Sequence, residues 1–239
     1  MKIPALTTQQ MMDVDNLMIL EYGIQLIQMM ENAGRNLAEI SRQMLGGVVF
    51  GKRIAVFCGG GNNGGGGMVA ARHLHNWGAE VLLTVVANPV QIREIPAHQF
   101  HILEKMGLKN QSAPRLEDAD LIVDALIGYG LVGNPGGPVA AWIERMNGSK
   151  RPILALDTPS GLNTTTGVPG IPCIRAAATL TLALPKVGLL TPESRSVVGD
   201  LYLADISVPP ELYRRLELDV PPLFVHHPIQ KITTEGKLL

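Results

Sequence analysis

The stretch CGGGNNGGGG at residues 58–67 decides how this chain folds. It follows the apolar run IAVF at residues 54–57, which is typical of a buried strand, and it precedes residues 68–77, which are typical of a helix. Glycines allow a ligand to approach the backbone closely, and the first amides of a helix have no partners within the helix. The stretch therefore predicts a glycine loop between a strand and a helix, in a position suited to bind the phosphate groups of a nucleotide.

Short apolar runs alternate with helical patterns along the rest of the chain. Strands are predicted at residues 54–57, 81–86, 121–123, 153–156, 179–183 and 201–203, and helices at residues 8–22, 24–45, 68–77, 92–106 and 138–146. Alternating strands and helices indicate a parallel sheet whose two faces are covered by helices. We therefore predict an α/β fold of the Rossmann type, with three layers, a mainly parallel central sheet and two extra helices at the N-terminus.

The length of 239 residues fits one domain of this class. We expect residues 1–239 to form that single domain, with the N-terminal helices in residues 1–46. The Rossmann-like core is expected in residues 52–210, and a C-terminal tail in residues 211–239.

Charge and composition narrow the classes of partner. The net charge of −1, without a basic run, removes the long-range attraction on which binding of nucleic acids and anionic membranes depends. No segment approaches the roughly 18 apolar residues of a membrane span, and residues 1–10 lack the apolar core of a signal peptide. We expect a soluble, cytoplasmic protein with no nucleic-acid or membrane partner. Cys58 and Cys173 have neither metal-ligand spacing nor a disulfide framework, so reduced, buried thiols are expected.

Acidic residues follow two of the predicted strands. Asp124 begins DALIGYG at residues 124–130, and Asp157 begins DTPSGL at residues 157–162. Ligands of such sheets bind beyond the carboxyl ends of the strands, so both loops and the glycine stretch are expected at one rim. The aspartates could bind a hydroxyl group, orient a water molecule or act in acid–base chemistry, and a nearby serine and asparagine would complete an oxygen-rich cation site. The alternative is that each aspartate only caps the turn or helix that follows it.

Other polar residues near the strand ends leave alternatives open. Lys186 follows the fifth predicted strand, and it could bind a phosphate group or lie solvated on the surface. The glycine-rich segment at residues 128–134 could form a simple turn or an open loop for a second phosphate or a ribose. Metal ligation by histidine pairs and nucleophilic catalysis are not expected, because no carboxylate lies at a fitting spacing and no Ser-His-Asp or Cys-His arrangement can be read.

A series of ordered motifs covers nearly the whole chain. They are LTTQQ at residues 6–10, MENAGR at 30–35, GNNGG at 61–65, AARHL at 70–74, DALIG at 124–128, DTPSG at 157–161, PKVGLL at 185–190, VGDL at 198–201 and ADI at 204–206. In these motifs the chain resembles the NAD(P)H-hydrate epimerase family, also called the YjeF N-terminal domain. The resemblance implies a Rossmann-like fold, a homodimer, a bound potassium ion and interconversion of the R and S forms of hydrated NADH or NADPH. The fused ADP- or ATP-dependent dehydratase domain of many bacterial relatives is not expected here.

The resemblance also implies which residues form the site. Potassium ligands are implied at Asn63, Asp124 and Ser160, in agreement with the oxygen donors found at the strand ends. Substrate contacts are implied at Asn62, Asn63, Gly64, Gly65, Gly66, Gly128, Tyr129, Gly130, Leu131, Val132, Gly133, Asn134 and Asp157. The position of Lys186 after a strand adds that residue to the expected substrate contacts. Asp157 is the expected acid–base residue, because expelling the ring hydroxyl as water requires an acid and its return requires a base.

One departure from the family pattern bears on catalysis. The family loop reads N-N-G-G-D-G, whereas Gly66 stands here in place of the aspartate. Two hypotheses follow, namely an epimerase whose activity is impaired by Gly66, and a non-catalytic nucleotide sensor or interaction scaffold of the same fold. A preference between the NADH and NADPH hydrates is not indicated, since no arginine lies clearly at the expected 2′-phosphate position.

Overall fold

A computed structural model describes residues 2–239, and these residues form a seven-stranded sheet with helices packed against it. The strands are β1 Arg53–Cys58, β2 Glu80–Val85, β3 Leu121–Ala125, β4 Ile153–Leu156, β5 Ala178–Leu182, β6 Asp200–Ala204 and β7 Ile229–Ile232. The helices are α1 Thr8–Leu20, α2 Leu26–Met44, α3 Asn62–Asn76, α4 Glu94–Lys105, α5 Gly137–Gly148, α6 Arg195–Val198 and α7 Pro210–Arg215. No helix within residues 2–239 is both long and apolar enough to cross a membrane.

The sheet has the strand order β2-β1-β3-β4-β5-β6-β7. Each neighbouring pair from β2 to β6 is parallel, and only β7 runs antiparallel to β6. The strand order reverses between β1 and β3, and in such sheets the connections leave a crevice at the carboxyl ends of those two strands. This topology confirms the predicted α/β fold with a mainly parallel sheet, and it fixes where a ligand site is expected.

The sheet is the middle of three layers. In β1, Ile54, Val56 and Cys58 pack in one hydrophobic core with residues of α2, α3 and α4, whereas Ala55 and Phe57 pack in another core with residues of α5. This alternation is the period of two that a strand imposes when both of its faces are covered. The predicted three-layer arrangement is therefore confirmed.

The two extra N-terminal helices are also confirmed. Thr7 caps α1 by accepting a hydrogen bond from the backbone N–H of Gln10, and the Gln10 side chain accepts one from the backbone N–H of Thr7. The chain turns between α1 and α2 at Gly23, whose φ of +67° suits glycine. Helix α1 buries an apolar face in a core that includes residues of β6, so it lies against the sheet beside the crevice.

Several features of the fold differ from the sequence-based expectations. Helix α3 begins at Asn62 rather than at residue 68, so the four glycines at residues 64–67 lie inside the helix and are buried. A Cβ atom at Gly64 would lie 1.8 Å from the carbonyl oxygen of Gly59. Close packing thus requires glycine there, and it outweighs the low helix propensity of these residues. Strand β7 and most of helix α7 come from the segment expected to be a tail, and the short helix α6 was not predicted.

Candidate active site

A cavity of about 410 Å³ lies at the carboxyl ends of β1, β3 and β4, in the crevice that the strand order predicts. Helix α1 and helix α2 contribute apolar side chains to its wall, including Met11, Met29 and Met30. The polar and charged side chains that line it are Asp15, Asn62, Asn63, Arg93, Tyr129 and Asp157. The cavity therefore combines an apolar wall with a small set of polar groups, which is the usual composition of a small-molecule site.

The start of α3 offers backbone donors to this cavity. Gly61 is the N-cap residue and has no side chain to cap the helix, so the amides of Asn62, Asn63 and Gly64 in the first turn lack the acceptors that a capping side chain would supply. Gly61, Asn62 and Asn63 line the cavity, and Gly66 lines it from the next turn. A group of free amides at the positive end of a helix is suited to bind a phosphate group.

Asp157 is held rigidly at the end of β4. It is buried and has a φ of +67°, a left-handed conformation that is uncommon for residues other than glycine. Its Oδ2 atom accepts a hydrogen bond of 3.0 Å from the backbone N–H of Tyr129, and its Oδ1 atom accepts one from the ammonium group of Lys186. The carboxylate therefore lines the cavity in a single orientation, and it does not cap a helix.

Lys186 is fully buried, so the surface alternative for this residue is wrong. Its ammonium group also donates to the hydroxyl of Thr181 at 3.3 Å and to the carbonyl of Leu182 at 3.0 Å. All three acceptors lie within the protein, and the lysine is outside the cavity lining. Lys186 thus orients Asp157 and balances its charge.

A second carboxylate, Asp15, lines the cavity from α1. Its Oδ2 atom accepts a hydrogen bond of 2.6 Å from the hydroxyl group of Tyr129. Burial raises the pKa of Asp15, while the Tyr129 hydrogen bond and the nearby charge of Lys186 act in the opposite direction. The sequence analysis missed this residue. The signal that would have found it is a carboxylate on the apolar face of α1, in the same helical stripe as Met11, Val14 and Met18.

Asp124 and Ser160 form a buried pair that joins the ends of β3 and β4. The Ser160 hydroxyl donates to Oδ1 of Asp124 at 2.7 Å, and the Ser160 backbone N–H donates to Oδ2 at 2.8 Å. The backbone N–H of Leu126 also donates to Oδ1, at 3.2 Å. Burial raises the pKa of Asp124 to about 6, because the hydrogen bonds offset only part of the cost of placing a charge there. A bound cation would favour the charged form of this carboxylate.

Asn63 lies beside the turn at Gly128, and its side-chain amide is not fully hydrogen-bonded. Its buried Nδ2 atom has no hydrogen-bond partner among the described residues. A Cβ atom at Gly128 would lie 3.2 Å from Oδ1 of Asn63 and 3.1 Å from Oδ2 of Asp157. Glycine at position 128 therefore leaves room between two side-chain oxygens. Amide, hydroxyl and carboxylate oxygens are the donors that a hard cation prefers, so the residues expected to bind potassium fit that ion.

Of the remaining residues expected to contact the substrate, some line the cavity and others do not. Gly128, Tyr129 and Gly130 line the cavity, whereas residues 131–134 run outward from it, and Val132 is 93% exposed. Asn134 accepts a hydrogen bond of 3.0 Å from the backbone N–H of residue 171, which holds this outer part of the loop. Gly64 and Gly65 are buried where α3 packs closely on its neighbours, and their side of the helix faces protein.

Arg93 is a further residue that sequence reasoning did not place in the site. It is the N-cap residue of α4, and its backbone N–H donates to the carbonyl of Gly60 at 3.0 Å. This hydrogen bond holds the start of α4 against the glycine stretch. The side chain is exposed and lines the edge of the cavity, where it supplies a positive charge close to the start of α3.

Comparison with known proteins agrees with this geometry. A sequence profile of the family described as "YjeF-related protein N-terminus" matches residues 26–188. The fold is similar to that of the yeast protein YNL200c, with a TM-score of 0.82, 22% identity, and coverage of 96% of this chain and all of the yeast chain.

Two bacterial relatives are closer in sequence. The NAD(P)H-hydrate epimerase of Dehalogenimonas lykanthroporepellens is 40% identical over 218 residues, which span 90% of this chain and 87% of the relative. The bifunctional NAD(P)H-hydrate repair enzyme Nnr of Moorella thermoacetica is 42% identical, and the match spans 86% of this chain and 41% of that longer protein. The chain belongs to the YjeF N-terminal family, whose members include proteins named NAD(P)H-hydrate epimerase.

Proposed function

We propose that this protein interconverts the R and S forms of hydrated NADH and NADPH. The observation that carries the proposal is the fixed carboxylate of Asp157, which lines a cavity beside the free amides at the start of α3. The relative that shares 40% identity over 90% of this chain is named for the same reaction. A site that combines phosphate donors with an acid–base group suits a nucleotide whose ring must lose and regain water.

Binding is assigned to the start of α3 and to the loop after β3. The amides of Asn62 and Asn63 bind phosphate oxygens, since they lack acceptors within the helix and both residues line the cavity. The backbone of Gly128 and Gly130 borders the cavity and allows a ribose to lie close to it. The hydrated ring then lies toward Asp157 at the end of β4.

The reaction is assigned to Asp157. In its acid form the carboxyl group protonates the hydroxyl on the hydrated ring carbon, the carbon–oxygen bond breaks, and water leaves while the ring nitrogen lone pair forms a double bond to that carbon. Water then adds to the opposite face and returns a proton to a carboxylate, so atoms and charge balance over the cycle. Lys186 and the backbone of Tyr129 hold the Asp157 carboxylate in place during both steps. Acid–base catalysis of this kind contributes roughly 10²- to 10⁴-fold.

A potassium ion is the proposed resident cation, and Asn63, Asp124 and Ser160 would bind it. Its support is the donor set itself, which combines the buried carboxylate of Asp124, the hydroxyl of Ser160 and the amide oxygen of Asn63. When bound, the ion would offset the negative charge of Asp124 near the phosphates. The test is thermal unfolding in potassium, sodium and lithium chloride at equal ionic strength. We expect stabilisation specific to potassium that is lost in Asn63→Ala and kept in the control Asn62→Ala, and equal curves in all three salts would contradict the assignment.

Gly66 favours a second candidate function, that of a nucleotide sensor or scaffold without catalysis. Position 66 lines the cavity, and here it supplies no carboxylate. A Cβ atom at this position would lie 2.8 Å from Cδ2 of Leu156, the end of a flexible side chain, so Gly66→Asp can be accommodated by a rotamer change. A large gain in turnover in Gly66→Asp, without a comparable gain in affinity, would support the sensor function.

The test of the proposed function is the rate at which the protein, in potassium buffer, converts the R form of NADH hydrate into the S form. An added dehydratase that consumes only the S form reports the conversion. We expect a rate well above the spontaneous one, and a loss of about 10²-fold or more in Asp157→Asn. A spontaneous rate together with measurable hydrate binding would favour the sensor function instead.

We further propose a homodimer, on the basis of family resemblance, and a cytoplasmic location, on the basis of the N-terminal sequence and the lack of a long apolar segment. Light scattering coupled to size-exclusion chromatography tests the homodimer, since a dimer has twice the chain mass of 25.7 kDa. Fractionation of the native host, followed by detection of the protein, tests the cytoplasmic location.

A further inference from the structure

We propose that Asp15 is a second acid–base carboxylate of this cavity, paired with Asp157 through Tyr129. The inference rests on the proposed epimerase function and adds a residue to its catalytic machinery. The observation behind it is that a single tyrosine donates hydrogen bonds to both carboxylates. The backbone N–H of Tyr129 donates to Asp157 at 3.0 Å, and its hydroxyl donates to Asp15 at 2.6 Å.

The two carboxylates reach the cavity from different elements. Asp157 follows β4 at the rim of the sheet, whereas Asp15 projects from α1. Tyr129 lies between them with its backbone at one carboxylate and the tip of its side chain at the other, so the carboxylates are separated by most of the length of a tyrosine residue. A separation of this kind allows the two groups to act on different faces of one bound ring.

The position of Asp15 in α1 is costly for stability and therefore points to a functional role. It shares the apolar stripe of the helix with Met11, Val14 and Met18, all of which are buried. A carboxylate there loses hydration, and the Tyr129 hydroxyl is its one hydrogen-bond partner among the described residues. An apolar residue at the same place would pack without that cost. Acids whose pKa is shifted by burial in a cleft are more frequent at functional sites than elsewhere.

The charges around Asp15 suit an acid. Burial raises its pKa, and the negative charge of Asp157 raises it further, whereas the Tyr129 hydrogen bond and the positive charge of Lys186 lower it. Arg93 lines the edge of the same cavity and carries a positive charge. The net increase keeps the acid form of Asp15 present to a higher pH than that of an ordinary aspartate.

With two carboxyl groups, one group can donate the proton and the other can accept it, so a single residue does not have to perform both steps. The acid form of one carboxyl group protonates the departing hydroxyl, and water leaves with the bonding electron pair. Water then attacks the opposite face of the cationic ring and gives its extra proton to the other carboxylate. The reverse reaction exchanges the two roles, and no oxidant or reductant is required. Gly66 lines this cavity too, so Asp15 supplies a carboxyl group to a site that has none at position 66.

The test compares Asp15→Asn with Asp13→Asn in the coupled epimerase assay. Asn at position 15 retains an oxygen that can accept the Tyr129 hydrogen bond, so packing is preserved. Asp13 is a matched control, because it lies on the same helix, accepts a hydrogen bond from Gln9 and is outside the cavity lining. We expect kcat to fall about 10²-fold or more in Asp15→Asn, as is typical of a lost acid–base group, and KM to change by less than about threefold. Asp13→Asn should match the wild-type protein.

The pH profile separates a catalytic role from a structural one. In the wild-type protein kcat should fall as pH rises and Asp15 loses its proton, and this limb should be absent from Asp15→Asn. The double variant Asp15→Asn, Gly66→Asp should recover activity, because it returns a carboxyl group to the same cavity. Tyr129→Phe, which keeps both carboxylates, provides a folded comparison if Asp15→Asn is unstable, and it should shift the alkaline limb to higher pH.

The outcomes distinguish the two proposals. A wild-type protein that is inactive, with Asp15→Asn equally inactive, would remove the epimerase function itself. A wild-type protein that is active, with Asp15→Asn unchanged in kcat and in its pH profile, would overturn the role of Asp15 and leave the proposed function in place.

Discussion

Replacing Lys186 with methionine removes the counter-charge of Asp157 inside the protein. Lys186 is fully buried, and the Asp157 side chain with which it pairs is only 5% exposed. Methionine has a similar length and no charge, so the substitution mainly leaves the carboxylate without its partner. The hydroxyl of Thr181 and the carbonyl of Leu182 lose a donor at the same time. We therefore expect Lys186→Met to be strongly destabilising.

The magnitude follows from the burial of the pair. Breaking a buried ion pair by removing one partner costs about 3–5 kcal/mol, and solvent screening offers little relief at this site. For a chain of this length, each kcal/mol lowers the melting temperature by about 2–4 °C, so the expected decrease is about 6–20 °C. Urea unfolding followed by circular dichroism measures the free energy, and a thermal scan provides the melting temperature.

A double variant provides the control. Lys186→Met combined with Asp157→Asn removes the unpaired charge, so it should be more stable than Lys186→Met alone. A loss of less than about 1 kcal/mol in Lys186→Met, the value typical of an exposed pair, would show that the two groups do not form a buried ion pair.

Three further predictions concern packing, specificity and reactivity. Gly64→Ala should lower the free energy of unfolding by about 1–3 kcal/mol or more, since its Cβ would lie 1.8 Å from the carbonyl oxygen of Gly59. Gly61→Ala is the control, because its Cβ would lie in open space, and it should cost less than about 1 kcal/mol. Urea unfolding measures both values. Arg93→Gln should raise KM for NADPH hydrate more than for NADH hydrate, because the guanidinium at the cavity edge can bind the extra phosphate; equal changes would contradict this role. Cys58, whose pKa is raised by burial, should react with a thiol reagent only as the protein unfolds, and fast labelling of the native protein would contradict its burial.

The parallel core of the fold could be predicted from the sequence, because its strands are short apolar runs between helices. The prediction failed where packing decides the local structure. Gly64 to Gly67 are poor helix formers, yet they lie in α3, where an added Cβ would meet neighbouring atoms and only glycine allows the close packing. Strand β7 was missed because its four residues include Gln230 and Lys231 and resemble a polar tail. Its pairing with β6 depends on tertiary contacts that a local pattern does not contain.

In the candidate site, too, some residues could be predicted from the sequence and others could not. Residues that directly follow strands could be placed at one rim, since the carboxyl ends of parallel strands meet there, and Asp124 and Asp157 are both found there. Asp15 and Arg93 reach the cavity from helices, so no strand-end argument finds them. The burial of Lys186 also escaped prediction, because a lysine after a strand is usually solvated and only the position of Asp157 explains its burial.

Following the hydrate in water enriched in oxygen-18 is the decisive test of the proposed function. When epimerisation proceeds by loss of water and addition of a solvent water molecule, each change of configuration places one labelled oxygen in the ring hydroxyl. We predict that the wild-type protein in potassium buffer accelerates both the appearance of the S form and the uptake of label, and that Asp157→Asn loses both. Conversion and label uptake at their spontaneous rates, in the presence of a protein that binds the hydrate, would contradict the proposed function.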